Sequence, residues 1–301
     1  MKYVVTGGSG FLGTHLIKSL LLGRHTVRNI DLLADVHDRR PGLEHIRLDI
    51  ANVKPDHLRD TDVLVHLAAV TSVKEAMTDP VQAIRTNVMG SVAVMEAARI
   101  AGVKKMVFAS TESVYGLADA DHLPLHEDSP RIPTNIYAAS KLAMEAAATS
   151  YHICYGFPSV ILRFSSIYGP GQRPDQVISI FLRQAANGGP ITVQGGGQSR
   201  SFNWVGNVVE GILAAAEKGK PGEVYNIAAL EEITISRLAQ DIAAAYGGNI
   251  KINIVPFRPG ETGVRIPLSI EKARDQLGYT PKVTWNEGLS RTVADFRGES
   301  P

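Results

Sequence analysis

A glycine-rich segment near the N-terminus constrains the fold of this chain more than any other feature. The sequence TGGSGFLG at residues 6–13 follows a short apolar run and precedes leucine and isoleucine residues at helical spacing. A strand, a glycine turn and a helix in this order are typical of a dinucleotide-binding site. Gly7 permits the tight turn, Gly10 lets the backbone approach a pyrophosphate, and Gly13 lets helix and strand pack closely. Because glycine triplets also occur in ordinary strand-to-helix turns, the rest of the sequence has to support this interpretation.

An acidic residue stands where a dinucleotide site needs one. The apolar run at 26–30 ends at Asp31, close to the offset of about 20 residues expected for the acid that binds the adenosine ribose. A carboxylate there accepts a hydrogen bond from the 2′-hydroxyl and repels a 2′-phosphate, which predicts NAD rather than NADP. Arg39 and Arg40 lie nearby and are interpreted as loop charges.

The composition indicates a globular protein and argues against several other classes. The chain has 301 residues, of which 44% are hydrophobic and 20% charged, with a formal net charge of +1. These values predict one large domain or two, without the basic face that binds nucleic acid. No apolar run is long enough to span a membrane, and the nine histidines form no cluster at metal-ligand spacing. The single cysteine, Cys154, and a chain that starts directly on the first strand predict a cytoplasmic protein without a signal peptide.

Apolar strands alternate with helical patterns over the first 165 residues or so. The predicted strands are 2–6, 26–30, 44–48, 62–67, 105–110 and 158–164, and the predicted helices lie near 12–22, 80–101 and 136–155. This alternation predicts an α/β fold with a doubly wound parallel sheet of the Rossmann type. Ligands are then expected beyond the C-terminal ends of the strands.

Small and acidic residues follow the third and fourth predicted strands. Asp49 and Ile50 come after the third strand and are placed near the adenine, although Asp49 equally fits a solvated acid at a strand end. Ala68 and Ala69 end the fourth strand, where small side chains let the backbone pass close to the cofactor.

Two polar residues near these strand ends have structural as well as functional interpretations. His66 is interpreted as a packed core histidine rather than a catalytic group. Asn87, inside the following helix, is a candidate for cofactor binding, but a buried asparagine that bonds loop backbone is the favoured interpretation.

The fifth strand and the helix at 136–155 carry the candidate catalytic groups. Hydroxyl residues cluster at the strand end, and Tyr137 and Lys141 stand four apart on the helix, so that they share one face. A free tyrosine has a pKa near 10, and a nearby ammonium and a positive nicotinamide ring are expected to lower it by roughly 2–3 units. Tyr137 then serves as a base, and Thr111 hydrogen-bonds the same substrate oxygen. Alone, the pair also fits an exposed helical Tyr and Lys; the glycine loop, Asp31 and the hydroxyl cluster favour catalysis.

The full set of motifs resembles the extended short-chain dehydrogenase/reductase family of nucleotide-sugar epimerases and dehydratases, with UDP-glucose 4-epimerase-like members nearest in pattern. The motifs are TGGSGFLG at 6–13, Asp31, HLAA at 66–69, NVMG at 87–90, STESVYG at 110–116, YAASK at 137–141, Arg163 and YGPGQ at 168–172. The resemblance implies an NAD-binding Rossmann domain over 1–167, to which a segment at about 202–229 returns. Residues 168–301 then form mainly a smaller nucleotide-sugar-binding domain.

Motifs and resemblance together give a set of expected site residues. The expected cofactor-binding residues are Gly7, Gly10, Phe11, Leu12, Gly13, Asp31, Asp49, Ile50, Ala68, Ala69, Asn87, Ser110, Tyr137 and Lys141. The expected substrate-binding residues are Thr111, Glu112, Ser113, Ser166, Arg200, Arg258 and Glu261. The two arginines match positions that grip a diphosphate, and Glu261 matches an acid near the nucleotide ribose.

The sequence departs from the family pattern in two places. Ser166 stands where the family usually has asparagine, which weakens a sugar or phosphate contact. The usual RDF-x-x-V-x-D pattern is RSFNWVGN at 200–207, so two acids are lost and Gly206 replaces an acid at a helix start. These differences bear on the identity of the substrate more than on the fold.

The resemblance implies a reaction that begins with oxidation of a sugar at C4 by NAD. Dehydratases of the family add a glutamate base two residues after the threonine, where this chain has Ser113, while Glu112 occupies the neighbouring slot in which some dehydratases carry an acid. Decarboxylase members resemble Thr-Ser-Glu at these positions. Epimerisation needs no further base, so we predict an isomerase, an NAD-dependent 4-epimerase of the UDP-glucose/UDP-galactose type with a transient 4-keto intermediate. The alternatives are a nucleotide-sugar dehydratase or reductase, or a dinucleotide-sensing protein without turnover, which would not need the Tyr137 and Lys141 pair.

The resemblance also implies a homodimer. Two helices, near 80–101 and 136–155, are expected to pair across a two-fold axis. Apolar residues that exceed the needs of one sheet face are Val88, Val92, Met95, Met144 and Ala148.

Overall fold

The computed structural model describes residues 1–116, 123–247, 249–257 and 267–299. Arg258 and Glu261 therefore lie outside the described residues. In the first part of the chain the elements are β1 (Lys2–Thr6), α1 (Phe11–Leu22), β2 (Thr26–Asp31), β3 (Leu43–Arg47), β4 (Val63–His66), α2 (Val73–Thr78), α3 (Pro80–Ile84), α4 (Ser91–Ala101), β5 (Lys105–Thr111), α5 (Ile136–Tyr155) and β6 (Ser159–Phe164). In the second part they are β7 (Ile167–Tyr168), α6 (Val177–Ala186), β8 (Ile191–Gln194), β9 (Ser199–Arg200), β10 (Asn203–Trp204), α7 (Val205–Lys218), β11 (Val224–Ile227), β12 (Ile233–Thr234), α8 (Ile235–Ala245), β13 (Ile252–Val255), α9 (Glu271–Leu277) and α10 (Trp285–Phe296).

Seven strands form one parallel sheet in the order β3-β2-β1-β4-β5-β6-β11. The strand order reverses between β1 and β4, so a crevice opens there beyond the carboxyl ends of the strands. This arrangement confirms the predicted doubly wound Rossmann-type sheet, and the six strands predicted from the sequence agree with the observed ones to within a residue or so at each end.

Side chains alternate between the two faces of the sheet. Tyr3 and Val5 belong to one hydrophobic cluster, which includes residues of α1 and α7, whereas Val4 belongs to a second, which includes residues of α4 and α5. Successive side chains of a strand point to opposite faces of the sheet. A strand that is buried on both faces, like β1, therefore needs apolar residues at consecutive positions. The apolar runs that predicted the strands are explained by this burial.

The helix predicted over 80–101 is wrong in one respect, because it is interrupted. Asp79 caps α3 and is followed by Pro80 at the first helical position, and a π-helical segment, Arg85–Gly90, separates α3 from α4. A β-carbon on Gly90 would lie 2.7 Å from Ile50 Cδ1. The wider turn therefore lets this part of the helix pack directly against the segment that follows β3.

A third hydrophobic cluster lies in the second part of the chain. Its aromatic centre contains Tyr168, Phe202, Trp204 and Trp285, with the rings of Tyr168 and Trp285 5.2 Å apart. Three two-stranded sheets lie in this part, formed by β7 with β10, β9 with β12, and β8 with β13. A β-carbon on Gly206 would lie 2.7 Å from the indole nitrogen of Trp204, which explains why glycine replaces the usual acid at the start of α7.

Among the described residues after 168, two segments return to the large sheet or to the helices that cover it. Strand β11, which lies in the segment at about 202–229, pairs with β6 at the edge of the sheet. The residues around α9 also pack into the cluster formed by β1, α1 and α7, through Ala273, Leu277 and Tyr279. We therefore interpret the second return as part of the nucleotide-binding unit, in addition to the boundaries inferred from the sequence.

The apolar residues chosen from the sequence as dimer contacts are mostly core residues. Met95, Met144 and Ala148 are buried within the chain, and Val88 and Val92 are partly buried. They fill the second sheet face, which the sequence argument underestimated. Exposed apolar side chains on the same helices and on the π-helical segment are Val81, Ile84, Met89, Ile100, Ile153 and Tyr155.

Two kinds of feature that would bear on function are absent from the described residues. None of the helices in the described ranges is long and apolar enough to cross a membrane. Over the same ranges, no group of three or more histidine, cysteine, aspartate or glutamate residues is arranged to hold a metal ion.

Candidate active site

The turn between β1 and α1 is shaped by glycines that have backbone neighbours. Gly7 has φ of +73°, and a β-carbon there would lie 2.6 Å from the Ala68 nitrogen; on Gly13 it would lie 2.4 Å from the Gly7 carbonyl oxygen. Gly10 caps α1 without a side-chain hydrogen bond. The first N–H groups of the helix are therefore available to an anion, and the turn fits a dinucleotide pyrophosphate.

Asp31 lies beside this glycine turn at the end of β2. Its two carboxylate oxygens accept hydrogen bonds from the Ser9 nitrogen, at 3.0 Å, and from the Leu33 nitrogen, at 2.8 Å. A carboxylate has further lone pairs, so Asp31 is held in place and can still accept from ribose hydroxyls. Arg39 donates to the Val36 carbonyl and Arg40 pairs with Asp38, which agrees with their interpretation as loop charges.

The residues placed near the adenine have different surroundings. Asp49 accepts from the Ala51 nitrogen at 2.9 Å and caps a short 3-10 turn. Ile50 is buried in the hydrophobic cluster that includes residues of α4 and α5. Ala68 and Ala69 remain partly exposed after β4, beside Gly7, where the strand order reverses.

A chain of buried hydrogen bonds runs from β1 to the start of α4. Thr6 Oγ1 lies 2.7 Å from His66 Nδ1, and His66 Nε2 lies 2.9 Å from Ser91 Oγ. Because Ser91 donates to the Asn87 carbonyl at 2.7 Å, it accepts from His66 Nε2, and Nδ1 accepts from Thr6. Burial lowers the pKa of His66 to about 3. His66 is therefore a neutral, fully bonded core residue, as expected.

Asn87 connects these hydrogen bonds to α5, the helix that carries Tyr137 and Lys141. Its amide oxygen accepts from the Val70 nitrogen at 2.7 Å, and its amide nitrogen donates to the Val70 carbonyl and to Ser140 Oγ, both at 2.9 Å. Ser140 in turn donates to the Tyr137 carbonyl at 2.7 Å. Asn87 thus bonds loop backbone, as favoured from the sequence. Ser91 and Ser140 were missed, although Ser140 lies inside the YAASK motif.

Tyr137 and Thr111 are brought together by α5 and the end of β5. A hydrogen bond with Thr111 and the positive charge of Arg173 favour the phenolate, but burial outweighs them and raises the pKa of Tyr137, and Glu112 adds to the increase. Loss of solvent around the phenol thus dominates in the protein alone. The lowering predicted from the sequence includes the positive nicotinamide ring and stays a prediction.

Lys141 is buried on the same helix. Its ammonium donates to the Ala109 carbonyl at 2.9 Å, and burial lowers its pKa to about 8, against the opposing effect of Glu145. The cation that favours the Tyr137 phenolate in this structure is Arg173 rather than Lys141. Lys141 keeps two further N–H groups with which it can hold a ligand.

The side chain of Ser110 is hydrogen-bonded to a buried ion pair. Its hydroxyl donates to Glu145, whose carboxylate also accepts from Arg163 at 3.0 and 2.8 Å. Arg163 also donates to the Tyr115 hydroxyl oxygen at 2.9 Å. The Ser110 side chain is thus engaged behind the strand end, and its backbone is what it can offer to a cofactor.

Glu112 has the most unusual environment of the predicted substrate residues. It is 5% exposed, and one of its oxygens accepts a hydrogen bond from Ser166 at 2.9 Å. Burial raises the pKa of Glu112 to about 7, against the opposing effects of Arg200 and of Ser166. Ser166, which departs from the family pattern, therefore serves here as the partner of this carboxyl group.

Several further buried polar atoms, on Glu112 and on residues between 165 and 203, have no hydrogen-bond partner within the described part of the chain. They are Glu112 Oε2, Ser165 Oγ, Asn203 Oδ1 and both amide atoms of Gln172. Buried polar groups are normally bonded, so these atoms fit a ligand rich in hydroxyl or phosphate groups. Gln172 and Asn203 were not predicted, although both lie within motifs quoted from the sequence.

Comparison with known proteins gives the family of the chain. The sequence pattern of the NAD dependent epimerase/dehydratase family matches residues 3–228. The chain belongs to this family. A dTDP-D-glucose 4,6-dehydratase of Mus musculus is 33% identical to this chain over an alignment of 318 positions, including gaps. The alignment covers 98% of this chain and 88% of the relative.

Two solved structures are similar over the whole chain. A UDP-glucose 4-epimerase from Thermotoga maritima, with UDP-glucose, is 30% identical and has a TM-score of 0.92, with 99% of each chain covered. A UDP-glucuronic acid 4-epimerase from Bacillus cereus, in complex with UDP-glucuronic acid and NAD, is 30% identical and has a TM-score of 0.92, again with 99% of each chain covered. Family membership confirms NAD as the cofactor and a nucleotide-sugar epimerase/dehydratase as the class of enzyme. The choice between these reactions depends on the residues of this chain.

Proposed function

We propose that this enzyme interconverts the C4 epimers of a UDP-linked sugar. The observation that carries the proposal is the residue two positions after Thr111. Ser113 donates its backbone N–H to Thr111 Oγ1, and its hydroxyl accepts from the same group, each at 3.2 Å. A serine so placed is no base for a C5 proton, which elimination has to remove and epimerisation leaves in place.

The proposed roles follow from the geometry around Tyr137. Tyr137 removes the proton from the sugar 4-hydroxyl, and Thr111, which hydrogen-bonds the phenol, orients the same oxygen. Bound NAD would supply reversible hydride transfer at C4, to either face of the sugar, and a positive ring that favours the tyrosinate. Lys141, anchored on Ala109, holds the nicotinamide ribose. Asn87 and Ser140 fix the first turn of α5, and with it Tyr137.

The sugar is proposed to lie between Tyr137 and Arg200. Glu112 influences the pKa of Tyr137, and Arg200 influences the pKa of Glu112, which supports placing this carboxyl group near both residues. Arg200 is positioned on β9 and also donates to the Ser199 carbonyl at 2.7 Å. We assign the diphosphate to Arg200, because a guanidinium group suits bidentate phosphate binding. Arg258 and Glu261 stay predictions from the sequence.

A 4,6-dehydratase is the second candidate. Two observations favour it: the identity with the mouse 4,6-dehydratase, and a pKa of about 7 for Glu112, which suits a group that exchanges protons near neutral pH. Glu112 would then have to remove the C5 proton, although it directly follows Thr111 in the sequence and the family glutamate stands one position later. Its hydrogen bond with Ser166 holds one oxygen away from that task.

One experiment separates the two reactions. The NAD-loaded enzyme is incubated with UDP-glucose in heavy water, and the products are analysed by NMR and mass spectrometry. Epimerisation gives UDP-galactose without deuterium at C5. A 4-keto-6-deoxy sugar, with deuterium at C5, would reject the proposal in favour of the dehydratase.

We also infer a homodimer. Helices α3, α4 and α5 pack on one another and cover one sheet face, and they carry exposed apolar side chains, among them Val81, Ile100 and Ile153. Apolar patches on neighbouring helices favour a symmetric interface that buries them. Light scattering at micromolar concentration tests this: a mass near twice 32.4 kDa is expected, and a mass near 32.4 kDa would contradict it.

A further inference from the structure

Two buried glutamates at the end of β5 differ in how they are bonded. Glu145 is 3% exposed, and both of its oxygens are bonded, to Ser110 and to Arg163. Glu112 is 5% exposed, but Oε2 has no partner within the described residues. A buried carboxyl group with a structural role is normally satisfied like Glu145. The unbonded oxygen of Glu112 therefore has no partner within the described residues that would explain its burial, and a ligand that donates a hydrogen bond would supply one.

The position of Glu112 indicates which part of the ligand it faces. Its charge raises the pKa of Tyr137, and Arg200 opposes the increase in its own pKa, so it lies near both. If the proposed function is right, on which this step rests, Tyr137 marks the 4-hydroxyl and Arg200 marks the diphosphate. Glu112 then lies beside the sugar ring and its substituents.

We propose that Glu112 is a specificity-determining residue that selects uncharged sugars and excludes sugars with a carboxylate. Its Oε2 accepts a hydrogen bond from a sugar hydroxyl, which satisfies the buried atom. A uronic acid brings a second carboxylate into the same buried space, where like charges repel more strongly than in water and an acceptor faces an acceptor. The chain is thus assigned to neutral UDP-hexoses rather than to UDP-glucuronic acid.

Binding measurements test this selection directly. Affinities of the NAD-loaded enzyme for UDP-glucose, UDP-glucuronic acid and UDP are measured by calorimetry at pH 8, where a carboxyl group with a pKa of about 7 is mostly ionised. We expect UDP-glucose to bind at least about tenfold more tightly than UDP-glucuronic acid. Glu112→Gln should reduce this ratio to below about threefold through tighter binding of UDP-glucuronic acid, with UDP affinity unchanged.

A second variant separates the effect of the Glu112 charge on sugar preference from the effect of its hydrogen bond with Ser166. Ser166→Ala removes the partner of Glu112 but leaves the carboxylate, so the preference for UDP-glucose should persist. Equal affinities for the two sugars in the wild type would overturn the proposal without any variant, and so would an unchanged ratio in Glu112→Gln. If neither sugar bound more tightly than UDP, the proposed function itself would fail. If both bound but without discrimination, only the selection by Glu112 would fail.

Discussion

The two sides of the cleft differ in how far the chain satisfies its own polar groups. On the cofactor side, Asp31, His66 and Asn87 are bonded to neighbouring backbone or hydroxyl groups, and the oxygen of Asn29 beside the glycine turn is the exception among the described residues there. On the substrate side, Glu112, Ser165, Gln172 and Asn203 contribute most of the unbonded buried polar atoms of the described residues.

This difference implies different roles for the ligands on the two sides. A fully bonded site is rigid before a ligand arrives, and binding to it costs little reorganisation. Unbonded buried groups are costly until a ligand pairs with them, so they discriminate strongly between ligands that do and do not supply the partner. We therefore expect substitutions on the cofactor side to affect geometry, stability and NAD binding. Those on the substrate side should affect turnover and selectivity, and should also change stability where they neutralise a buried unbonded group.

The largest expected effect is the loss of turnover on substitution of Tyr137, which lies between the cofactor side and the substrate side. Tyr137→Phe keeps the ring but removes the proton acceptor, so kcat should fall on the order of 10²-fold or more. NAD binding, measured by fluorescence titration, should change little, since Asn87 and Ser140 still hold the helix. A loss of turnover below about tenfold would mean that another group accepts the proton.

The two buried glutamates should respond to neutralisation in opposite ways. Folding raises the pKa of Glu112 from 4.5 to about 7, so the folded state binds its proton more tightly, and stability falls as pH rises between these values. Glu112→Gln cannot ionise and should become more stable than the wild type by on the order of 3 kcal/mol at pH 8, with little difference at pH 4.

Glu145→Gln is the matched control for that comparison. It breaks the buried pair with Arg163 and should destabilise the protein by about 3–5 kcal/mol at neutral pH. Urea unfolding at pH 4 and pH 8 measures both variants. A destabilised Glu112→Gln at pH 8 would mean that Glu112 is a structural carboxylate like Glu145.

The sequence predicted the parts of this site that depend on local spacing. The glycine turn, Asp31 and the four-residue spacing of Tyr137 and Lys141 are each set by a few consecutive residues, and most strand limits follow from continuous apolar runs. Long-range pairings were not predictable in this way. Ser140 meets Asn87 across 53 positions, and Ser166 meets Glu112 across 54. The raised pKa of Tyr137 depends on burial, which no local pattern reports.

A smaller effect is expected for the backbone of the cofactor side. Gly7 and Gly102 both have positive φ, +73° and +71°, but a β-carbon on Gly102 meets nothing within 4 Å. Gly102→Ala should therefore cost only the backbone strain, about 1 kcal/mol. Gly7→Ala should cost more, because the Ala68 backbone has to move, and should weaken NAD binding by about tenfold or more. Equal effects of the two substitutions on stability and on NAD affinity would show that the turn tolerates a side chain.

The smallest effect on turnover is expected for substitution of Ser113, and its size distinguishes epimerisation from elimination. Its hydroxyl bonds to Thr111 at 3.2 Å, so Ser113→Ala removes one weak contact and should change kcat less than about threefold. Thr111→Val removes the group that orients the reacting oxygen and should cost about tenfold, which makes it the matched comparison. If Ser113→Ala instead lost activity as severely as Tyr137→Phe, Ser113 would take part in a proton transfer that epimerisation does not contain. The unbonded oxygen of Glu112 would then be better explained as its partner in an elimination than as a selector of uncharged sugars.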